Sequence, residues 1–209
     1  MPVPTRREAA RLLRSLDPAP WSVRHACAVA DVAAWLARAA IRNGHAVDSG
    51  AIETAALLHD ADKTPGGRQP GIRHGDGSAA WLDARGFGAL ALLVRDHPVT
   101  RLADDEETRR LFAAPLEARI VAYADKRAGQ RLQSMDDRFA SWRRRYPAGP
   151  ADPAPGTVPG KRGWDHELAD RVYERALALE RDVCGAAGIA PAHVDRLRWA
   201  RRAMREAQG

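Results

Sequence analysis

Apolar residues recur every three or four positions through most of the chain, which is the spacing of one face of an α-helix. No stretch alternates convincingly between apolar and polar residues as a half-buried strand does, and no internal repeat is evident. The sequence therefore predicts an all-α fold. The predicted helices cover about 5–15, 22–44, 49–62, 75–85, 87–97, 105–112, 115–145, 164–184 and 191–207.

Local signals place several of the predicted helix ends. Thr5 and Glu8 have the spacing of a capping box, in which each residue bonds the other's backbone. Ser22 is expected to cap the second helix, because a serine oxygen can accept from an unpaired backbone N–H there. Pro and Gly interrupt the helical pattern at residues 17–20 and 64–71, which predicts loops.

The distribution of Pro and Gly also predicts the domain organisation. Residues 147–163 contain five Pro and four Gly, which is typical of an irregular linker or loop. We therefore predict a helical core over 1–146, the linker over 147–163, and a C-terminal helical extension over 164–209. The candidate ligand and catalytic residues fall within about 20–140 of the core.

Several polar residues lie on the apolar faces of their predicted helices. His25 shares a face with Val29, and Asp125 lies between Val121 and Ala128 on another face. A single histidine in such a position is usually a core residue with its own hydrogen bonds. Six residues on successive elements fit better with a metal site built from facing helices. The six are His25, His59, Asp60, His74, His97 and Asp125, whereas His45, His166 and His193 are expected at the surface.

The order of these residues resembles the HD-domain superfamily of metal-dependent phosphohydrolases. The resemblance rests on the pattern His…His-Asp…Asp, here His25, His59-Asp60 and Asp125, and on the flanking stretches VRHACAVADVAAWLA, AALLHDADK and RIVAYADKR. It implies that these four residues hold one metal ion. His74 and His97 resemble the additional ligands of the HD subgroup with two metals, in which Asp60 would bridge both ions.

The ligand types indicate which metals are suitable. The resemblance implies two divalent transition metal ions, and histidine and carboxylate ligands suit Fe, Mn, Zn, Co or Ni better than Ca. Mixed nitrogen and oxygen ligation with a bridging carboxylate favours Fe or Mn, and Mg is less suited to a His-rich site. Two divalent ions beside two carboxylates leave a positive site, which suits a phosphate group and a hydroxide nucleophile.

Charged residues beside the six are candidates for substrate contact. Lys63, together with Asp60, forms the HD-x-x-Lys pattern of related proteins, which implies that Lys63 binds phosphate or stabilises the leaving oxygen. Asp62 is either an orienting partner for a ligand histidine or a solvated acid at a helix end. Lys126 and Arg127 directly follow Asp125 in the chain, and we predict that they bind substrate at the mouth of the site.

The sequence thus predicts an enzyme that hydrolyses a phosphomonoester or phosphoanhydride of a small molecule, above all a nucleotide. The predicted catalytic residues are Asp60, Lys63 and Asp62. Two alternatives stay open on the sequence alone. Some HD-fold proteins with the same six ligands are di-iron oxygenases, and a third possibility is a non-catalytic nucleotide or nucleic-acid binding protein. Asp96 stands where some relatives carry another histidine, which argues against a third metal.

Composition narrows the expected partners and location. The net charge of +6 favours anionic partners, but Asp and Glu are interspersed with Arg almost everywhere, and nucleic acid is a disfavoured partner. No apolar run is long enough to span a membrane, and residues 1–16 lack the apolar segment of a secretory signal. Cys27 and Cys184 lie far apart and suit a reducing compartment, so we expect a cytoplasmic protein. The oligomeric state and the role of residues 147–209 stay open.

Overall fold

The computed structural model describes residues 3–129, 132–145 and 164–195. These residues contain an isolated antiparallel bridge between Ala128 and Leu132 but no β-strand, so the predicted all-α class is confirmed. Short 3-10 segments cover Ala61–Lys63 and Val99–Ala103. The α-helices are α1 (Arg6–Arg14), α2 (Pro20–Arg42), α3 (Ser49–Leu58), α4 (Asp76–Asp83), α5 (Gly88–Val94), α6 (Asp105–Ala113), α7 (Leu116–Arg127), α8 (Met135–Arg145), α9 (His166–Ala186) and α10 (Ala192–Asp195).

Helix α2 forms the centre of the core and packs against α3 and α7. Its buried face is rich in alanine, including Ala26, Ala30, Ala33 and Ala37 at the spacing of one helical stripe. Small side chains let neighbouring helices approach closely, so the polar groups that α2 carries lie near those of α3 and α7. The core therefore brings three of the candidate-bearing helices together.

The capping box predicted for α1 is confirmed. The Glu8 backbone N–H donates to Thr5 Oγ1 at 3.3 Å, and the Thr5 backbone N–H donates to Glu8 Oε2 at 2.7 Å. Two N–H groups that would otherwise lack a helical partner are thereby bonded. The cap fixes the start of α1, which packs its buried Ala9 and Leu13 towards α3.

Replacing Thr5 by alanine is expected to lower the free energy of unfolding by about 1 kcal/mol, because the Glu8 N–H loses its acceptor. Thr5→Ser keeps the hydroxyl and should stay close to the wild-type value. Urea unfolding of the three proteins measures the difference. Equal stability of the alanine and serine variants would contradict the prediction.

The second helix begins earlier than predicted, and Ser22 is not its cap. Helix α2 starts at Pro20, with Ala19 at the N-cap position and no side-chain cap, and Ser22 is buried inside the first turns. Proline suits the first helical position because its missing N–H would have no helical partner there and its φ is already helical. The prediction that Ser22 caps this helix is therefore wrong.

Two predicted helices end sooner than their apolar pattern indicates. Helix α3 ends at Leu58 instead of near residue 62, and a 3-10 turn follows it. The single helix predicted over 115–145 is wrong, because α7 ends at Arg127 and α8 begins at Met135. Ala128 leaves the helical region at φ −108° and ψ 83°, and Gln133 N donates to Arg127 O at 2.9 Å, so the chain folds back.

Helix α9 packs against α7 and the 3-10 segment Val99–Ala103, and its buried Val172, Ala176 and Leu179 belong to the hydrophobic core. The helix predicted over 191–207 is described as far as Asp195, and both its remainder and the whole predicted linker 147–163 lie outside the described residues. The division into a core and an extension stays a prediction.

Among the residues that the structure describes, no helix combines the length and the apolar composition needed to cross a membrane.

Candidate metal centre

The six candidate residues converge on one place in the core, although they come from separate elements. α2 carries His25, the C-terminal end of α3 is followed by His59 and Asp60, and α7 carries Asp125. The last two histidines follow the loop after Lys63 and the end of α5, and they are His74 and His97. All six are buried except His74, which is partly exposed.

The carboxylate of Asp60 lies among the imidazole rings of all four histidines. The Nε2 atoms of His59 and His74 are each 3.5 Å from Asp60 Oδ1, and His97 Nε2 is 3.3 Å from the same oxygen. His25 Nε2 lies 3.5 Å from the other oxygen, Oδ2. Asp60 is thus in the position of a group shared between two sets of ligands.

Asp125 completes one of these sets. Its Oδ1 is 3.2 Å from His25 Nε2 and 3.5 Å from His59 Nε2, and the two Nε2 atoms are 3.1 Å apart. One ligand atom each from these three residues lies within 4.8 Å of the others, as it does for His59, Asp60 and His97 and for Asp60, Asp62 and His74. These clusters have the residue types and the compactness to hold metal.

Three of the histidines have their proton placed by a partner on the outer side of the ring. His59 Nδ1 bonds Ala56 O and His97 Nδ1 bonds Val94 O, both at 2.6 Å. A carbonyl oxygen can only accept, so Nδ1 carries the proton, and Nε2 of the neutral ring keeps its lone pair. Asp62 Oδ1 acts in the same way on His74 Nδ1 at 2.9 Å. Such partners orient histidines for metal binding.

The carboxylates of the cluster and the ring of His97 differ in their ionisation. Burial opposes ionisation of Asp60, but neighbouring His59 and Lys63 outweigh it and hold the pKa of that carboxyl well below its usual range. Hydrogen bonds from His25 and His59 have the same effect on the pKa of Asp125. Burial lowers the pKa of His97 to about 4, so this ring is neutral at pH 7. The cluster therefore presents anionic carboxylate oxygens beside the neutral imidazole of His97.

Two atoms at the centre of the cluster show that the residues fit a cation. Asp60 Oδ1 and His97 Nε2 are both buried and have no hydrogen-bond partner within the described part of the chain. Lys63 Nζ donates to Asp60 Oδ2 at 3.0 Å and lies 2.9 Å from Oδ1 without bonding it. A buried carboxylate oxygen that accepts no hydrogen bond and faces an imidazole lone pair is unfavourable, and a divalent ion would satisfy both atoms.

Of the two interpretations of Asp62, its contacts agree with the orienting one. Besides bonding His74, its Oδ2 accepts from the backbone N–H groups of Gly75 at 2.8 Å and Ser78 at 3.2 Å. Gly77 packs against its Cβ so closely that a side chain on Gly77 would collide. Asp62 therefore ties the start of α4 to the imidazole of His74.

Lys126 and Arg127 do not line the mouth of the cluster, so the substrate-binding prediction disagrees with their positions. Both are fully buried. Lys126 Nζ donates to His97 O at 2.9 Å and Ala122 O at 3.0 Å, and burial lowers the pKa of Lys126 to about 8. Arg127 points towards α9, where it pairs with Glu180 at 2.8 Å. Both side chains donate hydrogen bonds to backbone carbonyls and so stabilise the backbone around the cluster.

Sequence reasoning missed Arg101, which is buried in the 3-10 segment Val99–Ala103. Its Nη2 donates to His74 O at 3.2 Å and lies 2.7 Å from Asp76 Oδ2, and its Nη1 donates to Glu107 at 2.7 Å. It holds the backbone of a candidate ligand in place. The residue has no helical register with the other candidates, so the sequence carried no signal for this role.

The comparison with protein families agrees with this geometry. The HD-domain family model matches residues 23–129, just over half of the 209-residue chain, so the chain belongs to the HD-domain family. Comparisons with curated proteins and with solved structures gave no match. Family membership implies metal-dependent activity of the hydrolase type, and the histidine and aspartate clusters are able to hold metal.

Proposed function

We propose that the protein is a metal-dependent phosphohydrolase that cleaves a phosphomonoester or phosphoanhydride of a small molecule, above all a nucleotide. One observation carries the proposal. Ionised carboxylate oxygens and imidazole nitrogens converge in the core, and two of these atoms, Asp60 Oδ1 and His97 Nε2, have no hydrogen-bond partner among the described residues. The family membership supports the same chemistry.

We assign the ligands of two ions by combining these overlapping clusters with the resemblance to the HD-domain family. The first set consists of His25, His59, Asp60 and Asp125, and the second of Asp60, His74 and His97. When bound, the ions would supply a hydroxide nucleophile and neutralise charge on the phosphoryl oxygens. The predicted preference for Fe or Mn over Zn, Co or Ni still rests on the mixed nitrogen and oxygen ligands.

The chain's own residues would position the substrate and hold the ligands. Lys63 forms an ion pair with the carboxylate of Asp60 and remains partly exposed, so its ammonium group can contact a substrate phosphate at the edge of the cluster. Asp62 keeps the proton on His74 Nδ1, which leaves the Nε2 lone pair directed towards Asp60. The buried surroundings limit the access of bulk water to the reacting groups.

The first experiment is metal analysis of protein purified without chelator, combined with a phosphate-release screen. The screen would use nucleoside mono-, di- and triphosphates with added Mn²⁺ or Fe²⁺, under air and without O₂. We expect about two ions per chain and phosphate release that does not need O₂. Iron with O₂ consumption and no phosphate release would identify the oxygenase instead. Nucleotide binding without turnover would identify a binding protein, and metal-free, inactive protein would contradict the proposal.

The affinity for metal is expected to fall as the pH is lowered. Burial disfavours the charged ring of His59, but Asp60 and Asp125 outweigh it and raise the pKa of His59 above its usual 6.5. The metal-free protein therefore holds a proton on His59 at pH values around and below this pKa, and a metal must displace it. His97, with a pKa of about 4, adds no such competition at higher pH.

Below the pKa of His59, displacement of this one proton contributes up to about a tenfold loss of affinity per pH unit. Calorimetric titration of the chelator-treated protein with Mn²⁺ between pH 8 and about pH 5.5 measures the slope. An affinity that is independent of pH over this range would contradict the assignment of His59 as a ligand.

A further inference from the structure

Arg138 on α8 is a partly buried cation without an ionic partner in the described part of the chain. Its side chain makes no hydrogen bond or ion pair within residues 3–129, 132–145 and 164–195, and its Nε is fully covered without a partner. The buried guanidinium groups elsewhere are neutralised, since Arg101 contacts Glu107 and Arg127 contacts Glu180. A buried guanidinium with unbonded N–H groups is unfavourable unless an anion occupies the adjacent space.

The guanidinium group of Arg138 is nevertheless held in a defined position. Its central carbon lies 4.7 Å from the centre of the Trp142 ring, one turn further along α8, and this ring packs edge-on against Phe139. Gly129 leaves space for the same group, because a Cβ built on Gly129 would overlap its Nη1 atom. Stacking on an aromatic face fixes the plane of a guanidinium group and leaves the N–H edge available for hydrogen bonds.

The fold packs this group against the segment that follows Asp125. A straight helix would separate Arg138 from Asp125 by about 20 Å along its axis. The chain instead turns back after Arg127, so that α8 packs against α7 and Arg138 rests against Gly129, four residues after Asp125. Burial lowers the pKa of Arg138, and the carboxylates of Asp125 and Asp60 act in the opposite direction. The charge of Arg138 therefore interacts electrostatically with these two carboxylates.

The chemistry of the missing partner follows from these contacts. Asp60 and Asp125 attract Arg138 without bonding it, and divalent ions on those carboxylates would cancel that attraction. An anion between the ions and Arg138 would then be attracted by both the ions and the guanidinium group. Phosphate matches best, because two of its oxygens can accept two parallel N–H bonds from one arginine.

We infer that Arg138 is a phosphate-binding residue of the site, stacked on Trp142 and directed at the edge of the metal cluster to bind an oxygen pair of the substrate's phosphate group. The inference rests on the proposed function for the identity of the anion. It adds a residue beyond the family-matched range 23–129 and gives α8 a place in substrate recognition.

Equilibrium binding of inorganic phosphate to the Mn²⁺-loaded protein tests the inference. Arg138→Gln is expected to weaken phosphate binding about 10- to 100-fold, which corresponds to the loss of a charge-assisted pair of hydrogen bonds. Arg138→Lys keeps the charge but not the two-point geometry, and it should weaken binding at least about threefold. Manganese content should stay at the wild-type level in both variants.

Arg143 provides the matched control on the same helix. It also lies over an aromatic ring, that of Tyr173 at 5.6 Å, but it is exposed and paired with Asp170 at 2.7 Å. Arg143→Gln should change phosphate binding less than about twofold, since an exposed pair of this kind contributes little to a distant site. The comparison separates a local role of Arg138 from a general loss of positive charge.

Thermal stability gives a second readout that a purely structural role would move in the other direction. Removing a partly buried cation that has no hydrogen bond or ion pair among the described residues is expected to leave the melting temperature unchanged or raise it. A lower melting temperature with unchanged phosphate affinity would overturn the inference. So would wild-type affinity in both Arg138 variants, or an absence of phosphate binding by the metal-loaded wild type. If Arg138→Gln does not fold, Arg138→Lys alone decides.

The outcome is independent of whether a substrate is found. Phosphate binding that depends on Arg138, in a protein that hydrolyses none of the nucleotides, would uphold the anion site and remove the proposed hydrolase. Hydrolysis of a nucleotide with unchanged phosphate affinity in the Arg138 variants would uphold the hydrolase and remove the role of Arg138.

Discussion

Asp60→Asn is expected to weaken metal binding by more than about 100-fold and to abolish phosphate release. Loss of a residue that merely orients a ligand already lowers metal affinity or activity about 10- to 100-fold, and Asp60 belongs to the ligand clusters themselves. Its two oxygens face the Nε2 atoms of all four histidines, so no other carboxylate among the described residues takes the same place. Asparagine has nearly the same shape but lacks the negative charge.

The variant is expected to keep its helices, because the substitution leaves the packing around α3 unchanged. Metal content by elemental analysis, phosphate release and circular dichroism together test the prediction. Asp83→Asn is the matched control, since Asp83 is an exposed aspartate at the end of α4. It should retain metal and activity. A well-folded Asp60→Asn protein with wild-type metal content and activity would contradict both the ligand assignment and the proposed function.

Arg127→Met is expected to lower the free energy of unfolding by about 3–5 kcal/mol, because it leaves Glu180 as a buried charge without its cation. Arg127 Nη1 donates to Glu180 Oε2 at 2.8 Å, and Tyr123 Oη donates to the same oxygen at 2.8 Å. The guanidinium group also donates through Nε to Gln133 O at 2.7 Å, which holds the turn between α7 and α8. The substitution therefore removes a charge partner and a support of the turn together.

Urea unfolding measures the loss. Arg171→Met is the control, because the pair of Arg171 with Glu167 at 3.2 Å is exposed on α9 and should contribute less than about 1 kcal/mol. Replacing both Arg127 and Glu180 by methionine should recover a large part of the lost stability, since no unpaired charge is then buried. A loss below about 1 kcal/mol for Arg127→Met would contradict the prediction.

The arrangement around Arg127 and Lys126 shows where sequence reasoning failed. Both residues directly follow Asp125, and the prediction that they line the site rested only on this position in the sequence. On a helix, consecutive side chains are separated by about 100°, so neighbours of an inward residue reach different surroundings. Which surroundings those are depends on the elements packed against α7. Here α9 supplies Glu180 for Arg127, and the segment after α5 supplies the carbonyl of His97 for Lys126.

The sequence by itself determined the helical class, the capping box of α1 and the convergence of six polar residues on the core. These features are local or periodic, because apolar residues at helical spacing define an inward face, and a polar residue in register with that face must meet others there. The order of His25, His59-Asp60 and Asp125 also sufficed to identify the family that the match over 23–129 shows.

Only the tertiary structure decided where the helices stop and what each polar group meets. The apolar pattern runs through Ala128 and Leu132, yet hydrogen bonds between Arg127 and Gln133 turn the chain back. That turn brings Arg138 against Gly129, four residues after Asp125, a position that a continuous helix would exclude. Helical periodicity specifies directions around one axis, whereas contacts between elements depend on loop geometry and on long-range partners, which no local pattern contains.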